Sequence, residues 1–513
     1  MTKLRDRMGA IPLLSLAACC LAAGLAVWTL CTLVSGYFDS DTYFILATGR
    51  TILESGLPET NPFVIHTGLE MPIHQWLYDV VLAAVEGAAG PGGLFAAALI
   101  LAGLLALCLW VFVRRFCRDW VAAAVLTALS LLLLCPWMNL RPTFLTLSVI
   151  ALMQTAFFAW EQTRRRRYLL LPPALSLLLV NFHTSLWVMC LVLAAPHLMP
   201  AALPRRGELR SFFWRWWIAV RPAAVCVAAM AAAGLCNPYG LKGMLYPLLS
   251  YGAVTDFSIR ELERPALLSV QGLGLTAQVL LYAFALQKKG LRGLDPRRAA
   301  MAAGTLFLAA MHLRNFWFTA FAAIPAAGEA LDALAARLRA APPKPFDVPS
   351  RDPRTERGRR LLRWEILAFF LVLVALTLPK WERADAADPA FAPAAAADLL
   401  DTLDREDIVL FTGFNNGAYM EYRGYRGYID ARPEIYTKKL NGTKDVLEEY
   451  KSVMDGTADY AEWLDRYGFT HLLVYETALK AYLRGREDFR ILWEDTENGL
   501  ILYERIGSAG KAG

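Results

Sequence analysis

The stretch Tyr37-Phe38-Asp39-Ser40-Asp41-Thr42-Tyr43 places two carboxylates directly after an apolar run near residues 11–35. A run of that length can cross a bilayer as a helix, which needs about 20 apolar residues. Carboxylates are costly to place near lipid, so a pair at the end of a membrane span indicates a function. We therefore expect Asp39 and Asp41 to lie at the outer face, where other polar side chains converge on them.

The composition is that of a polytopic membrane protein. Of the 513 residues, 56% are hydrophobic, and the mean hydropathy is +0.37. Such a chain is too apolar for an ordinary soluble protein. Residues 1–381 carry a net charge of +15 and residues 382–513 a net charge of −9. Because the basic residues lie in short loops between spans, the positive-inside rule accounts for them, and nucleic acid is not an expected partner.

The charge pattern also predicts a topology. Lys3, Arg5 and Arg7 precede the first span, so we expect a cytoplasmic N-terminus. About eleven α-helical spans follow within residues 1–381, with a long first outer loop at 36–79 and another outer loop at about 237–268. A short amphipathic helix is expected at Thr42–Ser55.

The end of the membrane part decides on which side the last domain lies. A basic, Pro/Arg-rich linker at 337–363 is predicted to be cytoplasmic. A last span near 364–381 then delivers the C-terminal domain to the outside. A single long helix through 299–331, instead of two, would place that domain inside.

Residues 382–513 alternate strand and helix patterns, which predict a small extracytoplasmic α/β domain. The segment has no cysteine, so no disulfide framework supports it. It also has no Gly-rich phosphate loop and no nucleophile elbow. The expected strands are Asp407–Phe411, Tyr425–Ile429, Thr470–Tyr475 and Leu500–Arg505.

Polar side chains recur at the predicted outer ends of the spans, which indicates a cavity at that face. One of the two acidic residues would act as a general base that takes a proton from an acceptor hydroxyl. Arginines would hold a phosphate leaving group through paired donors. A divalent cation, Mg²⁺ or Mn²⁺, held by Asp41 is a further option. The candidates are Asp39, Asp41, His74, Arg141, His183, Asn237, Arg260, Glu261, Arg314 and Asn315.

Each of these residues also has a structural interpretation. Asp41 would cap the helix that follows it. Arg141 and Arg314 would only extend to the membrane interface, and His74 and His183 would be hydrogen-bonded core histidines. Asn237 fits a helix-ending turn better than a ligand site.

The chain resembles the GT-C superfamily of polytopic membrane glycosyltransferases, in a bacterial Rgt-like or protein-mannosyltransferase-like branch. The resemblance lies in the many spans, the long first outer loop, the acidic pair at its start and the outer C-terminal domain. It also lies in four short stretches: Leu140-Arg141-Pro142, Asn181-Phe182-His183, Asn237-Pro238-Tyr239-Gly240 and Ile429-Asp430-Ala431-Arg432.

The resemblance implies transfer of a hexose or pentose from a polyprenyl-phosphate-linked donor, at the outer face of the cytoplasmic membrane. Asp39 or Asp41 would then be the base or a metal ligand. The acceptor, whether glycan, lipid or protein, stays open, because the acceptor motif of oligosaccharyltransferases is missing from the C-terminal domain.

Two alternatives remain. The protein could be a non-enzymatic scaffold or export partner in envelope polysaccharide or lipid assembly. A secondary transporter ranks lower, since the sequence has no internal repeat.

Overall fold

The computed structural model describes residues 40–134, 139–202, 209–250, 263–290, 295–340 and 393–506. Several predictions lie outside these residues: the first span, most of the 337–363 linker, the last span, and the site candidates Asp39, Arg260 and Glu261.

The membrane part is mainly helical in its described residues, apart from loops such as residues 56–75. Helix α1 corresponds to the helix expected in the first outer loop. The helices are α1 Ser40–Ser55, α2 Trp76–Val113, α3 Trp120–Leu134, α4 Thr143–Thr163, α5 Leu171–Phe182, α6 Thr184–Ala194, α7 Leu209–Ala233, α8 Gly240–Ser250, α9 Val270–Lys289, α10 Pro296–Met311 and α11 Ala320–Ala340.

Three helices in the described part are long and apolar enough to cross a membrane: Trp76–Val113, Thr143–Thr163 and Arg210–Ala233. The first of them is 38 residues long, well above the roughly 20 residues that cross a bilayer. It has a kink at Gly90, where φ is 59°, followed by Pro91. Glycine tolerates this backbone conformation and proline lacks the N–H of a regular helix, so the kink has a local cause. The total of about eleven spans stays a prediction.

The question of one or two helices across 299–331 has a structural answer. Helix α10 ends at Met311, His312 is extended with φ −142° and ψ 132°, and a 3₁₀ segment Leu313–Thr319 leads into α11. The single-helix alternative is therefore wrong. Helix α8, in contrast, lies within the outer loop predicted at about 237–268, where no helix is expected.

The C-terminal domain is built on a four-stranded sheet in the order β1-β2-β4-β3. Strands β1 and β2 are parallel and the other pairs are antiparallel. The elements are α12 Pro393–Leu400, β1 Leu410–Thr412, α13 Phe414–Tyr422, α14 Lys438–Asn441, α15 Val446–Asp455, α16 Tyr460–Tyr467, β2 His471–Val474, α17 Thr477–Leu483, β3 Phe489–Asp495 and β4 Leu500–Arg505.

The strand expected at Tyr425–Ile429 is wrong. Within it, only Gly427 makes a β-bridge, with Val64 of the first loop. Gly427 N–H donates to the Phe63 carbonyl at 2.9 Å, and Ile65 N–H donates to the Gly427 carbonyl at 2.9 Å. The segment thus uses its backbone to hold the first loop instead of joining the sheet.

The first loop and the C-terminal domain share a hydrophobic core. Val64 and Met71 of the loop cluster with Phe411 and Tyr428 of the domain. A polar contact extends the junction: Glu86 on α2 accepts hydrogen bonds from Arg50 at 2.7 Å and from the Tyr422 hydroxyl at 2.8 Å. This docking places the C-terminal domain directly over α1, the helix that carries Asp41.

Candidate active site

The acidic first loop meets an arginine from a remote part of the chain. Nη1 of Arg141 lies 2.8 Å from Oδ2 of Asp41, and the two side chains remain 27% and 23% exposed. Arg141 precedes Pro142, at the start of α4. Asp41 lies inside the first turn of α1, so it is not the N-cap residue of a helix at Thr42–Ser55. A carboxylate in a first turn is still favourable, because the helix dipole is positive there.

His183 lies beside this ion pair, at the junction of α5 and α6. Its Nδ1 is 2.7 Å from the Thr146 hydroxyl, which also donates to the Pro142 carbonyl at 2.9 Å. Since a carbonyl can only accept, we assign the hydroxyl proton to Pro142 and the ring proton to Nδ1. The Nε2 atom of His183 is then a hydrogen-bond acceptor.

A second histidine, His74, lies between His183 and Tyr246. Its ring centroid is 6.2 Å from that of His183 and 5.0 Å from that of Tyr246, with which it stacks at an interplanar angle of 19°. Burial, reinforced by the positive charge of Arg432, lowers the pKa of His74 to about 4. The ring is therefore neutral at physiological pH.

Arg314 supplies a second guanidinium. It lies in the 3₁₀ segment between α10 and α11, and its charge acts on His74, His183 and Tyr246. Among the residues that the structure describes, its side chain makes no ion pair or hydrogen bond. The five N–H donors of the Arg314 guanidinium therefore have no partner among the described residues.

One wall of the site comes from the C-terminal domain. The Tyr246 hydroxyl donates to Oε1 of Glu434 at 2.8 Å. The sequence predictions include neither residue. Residues 237–268 are predicted to be an outer loop, and the stretch Ile429-Asp430-Ala431-Arg432 that carries the family resemblance ends before Glu434. An amphipathic pattern at 240–250 was the available signal for the helix.

A buried charge network supports this wall. Arg432 donates to both oxygens of Asp430, at 3.0 and 2.6 Å, and to Oε2 of Glu421 at 2.9 Å. The Tyr436 hydroxyl also donates to Asp430. The guanidinium carbon lies 4.9 Å from the ring centroid of Phe44 on α1. The network thereby connects the C-terminal domain to the helix of Asp41.

The two acids of the network differ in protonation. Burial and the nearby Asp430 raise the pKa of Glu421 well above its ordinary value. Burial alone would raise the pKa of Asp430 too, but Arg432 and the hydrogen bonds outweigh it, so that pKa is lowered. Asp430 therefore ionises more readily than Glu421 within this network.

A small polar pocket lies between the first loop and the C-terminal domain, with room for about one water molecule. Asp79 in its lining accepts a hydrogen bond from Gln75 at 3.0 Å. The remaining polar lining is Thr48, His74 and Arg432.

Of the acidic pair expected to hold a divalent cation, the structure describes Asp41. Within the described ranges, no group of three His, Cys, Asp or Glu side chains is placed to hold a metal ion. The described ionic partner of Asp41 is a guanidinium. Because Asp39 lies outside these ranges, a metal on the acidic pair stays a prediction.

The two asparagines among the candidates serve the local backbone. Asn237 donates to the carbonyls of Gly234 and Gly240 at 2.8 and 2.9 Å, and Asn315 donates to that of Leu308 at 3.2 Å. The interpretation of Asn237 as part of a helix-ending turn is confirmed. Asp41, His74, Arg141, His183 and Arg314 are the expected residues that the structure brings together.

Comparison with known proteins bears on the fold. No family model matches the sequence, and no curated protein matches it. Solved structures do match. ArnT from Cupriavidus metallidurans bound to undecaprenyl phosphate superposes with a TM-score of 0.54 at 13% identity, over 96% of this chain and 98% of that chain.

Two further solved structures superpose on the chain to a similar extent. ArnT in the apo state gives a TM-score of 0.53 at 14% identity, over 95% of this chain and 98% of that chain. The archaeal oligosaccharyltransferase AglB from Archaeoglobus fulgidus, in complex with an inhibitory peptide and a dolichol-phosphate, gives 0.51 at 11% identity, over 88% of this chain and 69% of that chain. The chain therefore shares the fold of these structures, which is the GT-C fold that the sequence resemblance predicts.

Proposed function

We propose that the protein is a membrane glycosyltransferase that uses a polyprenyl-phosphate-linked sugar. The observation that carries the proposal is the Asp41–Arg141 ion pair, grouped with Arg314 and two histidines in a GT-C fold. Solved structures with this fold hold undecaprenyl phosphate or dolichol-phosphate. The reaction takes place at the outer face of the cytoplasmic membrane, with the N-terminus inside and the C-terminal domain outside.

The reaction follows from the charges. An acceptor hydroxyl attacks the anomeric carbon of the sugar from the side opposite to the phosphate. The bond between that carbon and the phosphate oxygen breaks, and the hydroxyl proton passes to a carboxylate. The products are the glycosylated acceptor and the free polyprenyl phosphate. Inversion at the anomeric carbon is expected, because the displacement occurs in one step.

Different side chains have different roles in this reaction. Asp41 or Asp39 takes the proton as general base. Arg141 and Arg314 neutralise the leaving phosphate, since guanidinium donors match phosphate oxygens. His183, through Nε2, accepts a hydrogen bond from a substrate hydroxyl. The sugar is a hexose or pentose, and the acceptor is a glycan, a lipid or a protein.

Substitution of the base tests the proposal. Asp41→Asn keeps the size of the side chain but removes the proton acceptor, so we expect the transfer rate to fall by about 10²–10⁴, the usual contribution of a general base. Asp39→Asn is measured in parallel. The assay follows release of undecaprenyl phosphate from undecaprenyl-phosphate-linked sugars by purified protein in nanodiscs, with envelope extract as acceptor.

Glu70→Gln is the matched control, because Glu70 lies in the same loop and pairs with Lys242 at the surface. Full transfer by both Asp variants would contradict the role of the acidic pair, whereas a wild type without any transfer activity would favour the scaffold alternative. A divalent ion remains part of the proposal as an option on the acidic pair. Loss of transfer in EDTA, with recovery in Mg²⁺ or Mn²⁺, is the result that supports it.

A further inference from the structure

Glu434 is held rigidly at the edge of the C-terminal domain. It lies in the 3₁₀ turn Pro433–Tyr436, directly after Arg432 of the buried charge network. Its neighbours Ile435 and Tyr436 are buried, and Tyr436 is hydrogen-bonded to Asp430. The turn is therefore fixed from beneath, while the Glu434 side chain stays partly exposed.

The carboxylate faces the membrane part and not its own domain. Oε1 of Glu434 accepts the hydrogen bond of Tyr246, which is buried and stacked on His74. Three separate stretches of the chain thus meet at one point: the first loop, helix α8 and the C-terminal domain.

Glu434 also lacks a cationic partner among the residues that the structure describes. Its one hydrogen bond there to another side chain is that of Tyr246. A carboxylate can accept about four hydrogen bonds, so most of its capacity remains. Burial raises the pKa of Glu434 and outweighs the hydrogen bond of Tyr246 and the charge of Arg432, which lower it.

The position of Glu434 relative to Arg314 suggests the ligand. Glu434 accepts the hydrogen bond of the Tyr246 hydroxyl, and the charges of Arg432 and Arg314 also act on that hydroxyl, so a carboxylate and two guanidinium groups lie near one side chain. A carboxylate repels phosphate but accepts hydrogen bonds from hydroxyls. In a lipid-linked donor the sugar is bonded directly to the phosphate, so the groups that bind the sugar must lie beside those that bind the phosphate.

We infer that Glu434 and Tyr246 form the subsite for the hydroxyl groups of the sugar that is transferred. Glu434 accepts hydrogen bonds from the sugar, and Tyr246 orients the carboxylate. The inference rests on the proposed function, but it assigns sugar selection to the C-terminal domain, whereas the phosphate is held by the membrane part.

Binding measurements distinguish recognition of the sugar from recognition of the polyprenyl phosphate. Full-length protein in nanodiscs is titrated with undecaprenyl phosphate and with undecaprenyl-phosphate-linked glucose, mannose and arabinose. For the sugar-linked lipid that the wild type binds best, Glu434→Ala should lower the affinity about tenfold or more, the usual loss for hydrogen bonds to a charged group. The affinity for undecaprenyl phosphate itself should change by less than about twofold. Tyr246→Phe should give a smaller loss in the same direction.

Two further variants keep the test decisive. Glu434→Gln preserves the shape and one acceptor oxygen, so it should fold normally and lose several-fold less affinity than Glu434→Ala. Glu448→Gln, an exposed acid of the same domain, should bind like the wild type.

An equal loss for both lipids would show a structural role and overturn the inference, as would unchanged binding of the sugar-linked lipids. A wild type that binds the sugar-linked lipids no better than undecaprenyl phosphate also overturns it, while leaving the phosphate site of the proposed function intact. Failure of the wild type to bind any of these lipids would instead refute the proposed function.

Discussion

Removal of Arg432 should uncouple the C-terminal domain from the first loop. The guanidinium is 7% exposed and pairs with Asp430 and Glu421, which are 0% and 1% exposed. Arg432→Met keeps much of the buried aliphatic volume but leaves the acids without their cation. Breaking a buried ion pair in this way costs about 3–5 kcal/mol. For a domain of this size, that corresponds to a fall of roughly 10 °C in the melting temperature.

The assay is thermal unfolding of the full chain in detergent, followed by tryptophan fluorescence and compared at one scan rate. Arg466→Met is the control, because Arg466 makes its ion pairs at the surface and is 52% exposed. Exposed pairs contribute about 0–1 kcal/mol, so the control should melt close to the wild type.

The pH dependence has a definite sign. In the wild type the pKa of Asp430 is lowered, so the stability it contributes is present above its unfolded pKa and is lost only as pH falls through the lower folded value. Without Arg432 the buried acids are stable only when protonated. The deficit of Arg432→Met should therefore shrink as pH falls from about 8 to 5.

A triple variant tests the cause directly. Combining Arg432→Met with Asp430→Asn and Glu421→Gln removes all the charges of the network, so more than half of the lost stability should return. An Arg432→Met variant as stable as the wild type would refute the view that the network is a coupled ionic unit. A triple variant less stable than Arg432→Met would refute it as well.

Two further predictions concern packing and a turn. Gly49→Ala on α1 should destabilise the protein by about 1–3 kcal/mol, because a Cβ there would lie 2.0 Å from the Asp79 carbonyl oxygen on α2. Gly87→Ala on α2 meets open space and should be neutral or slightly stabilising, and parallel melting curves give the comparison. Asn441→Ala should cost about 1–3 kcal/mol, because its buried amide satisfies the carbonyls of Ile435 and Lys444; Asn498→Ala at an exposed turn should cost less in the same assay, and equal losses would contradict this view.

The grouping of the polar residues of the site was predictable, because the alternation of membrane spans and loops determines which turns lie on the same side of the membrane. Arg141, His183 and Arg314 are far apart in sequence, but each stands at a turn that the alternation of apolar runs and basic loops assigns to one face. Charged groups are excluded from the apolar interior, so such turns must gather at the ends of the bundle. The structure accordingly pairs Asp41 with Arg141 and sets His74 beside His183.

The contribution of the C-terminal domain was not predictable in the same way. Glu434 and Tyr246 meet only after two folded parts dock, and no local pattern encodes that contact. Tyr425–Ile429 illustrates the difficulty: its β-branched and aromatic composition suits a strand, yet Gly427 pairs with Val64 of the first loop. Strand propensity reports a fit to a half-buried surface and does not identify the partner.

The position of the charge network explains why an acidic C-terminal domain is compatible with the proposed phosphate site. The domain segment 382–513 carries a net charge of −9, which by itself would repel a phosphate. At the junction, however, Arg432 compensates Asp430 within the buried network, and the neutral His74 separates that network from Arg314. Because buried charges interact strongly and exposed ones are screened over about 8–10 Å, the nearest groups determine the potential at the site. A phosphate at the proposed site would therefore meet Arg141 and Arg314 first, and the charges of the exposed acidic surface are screened by salt.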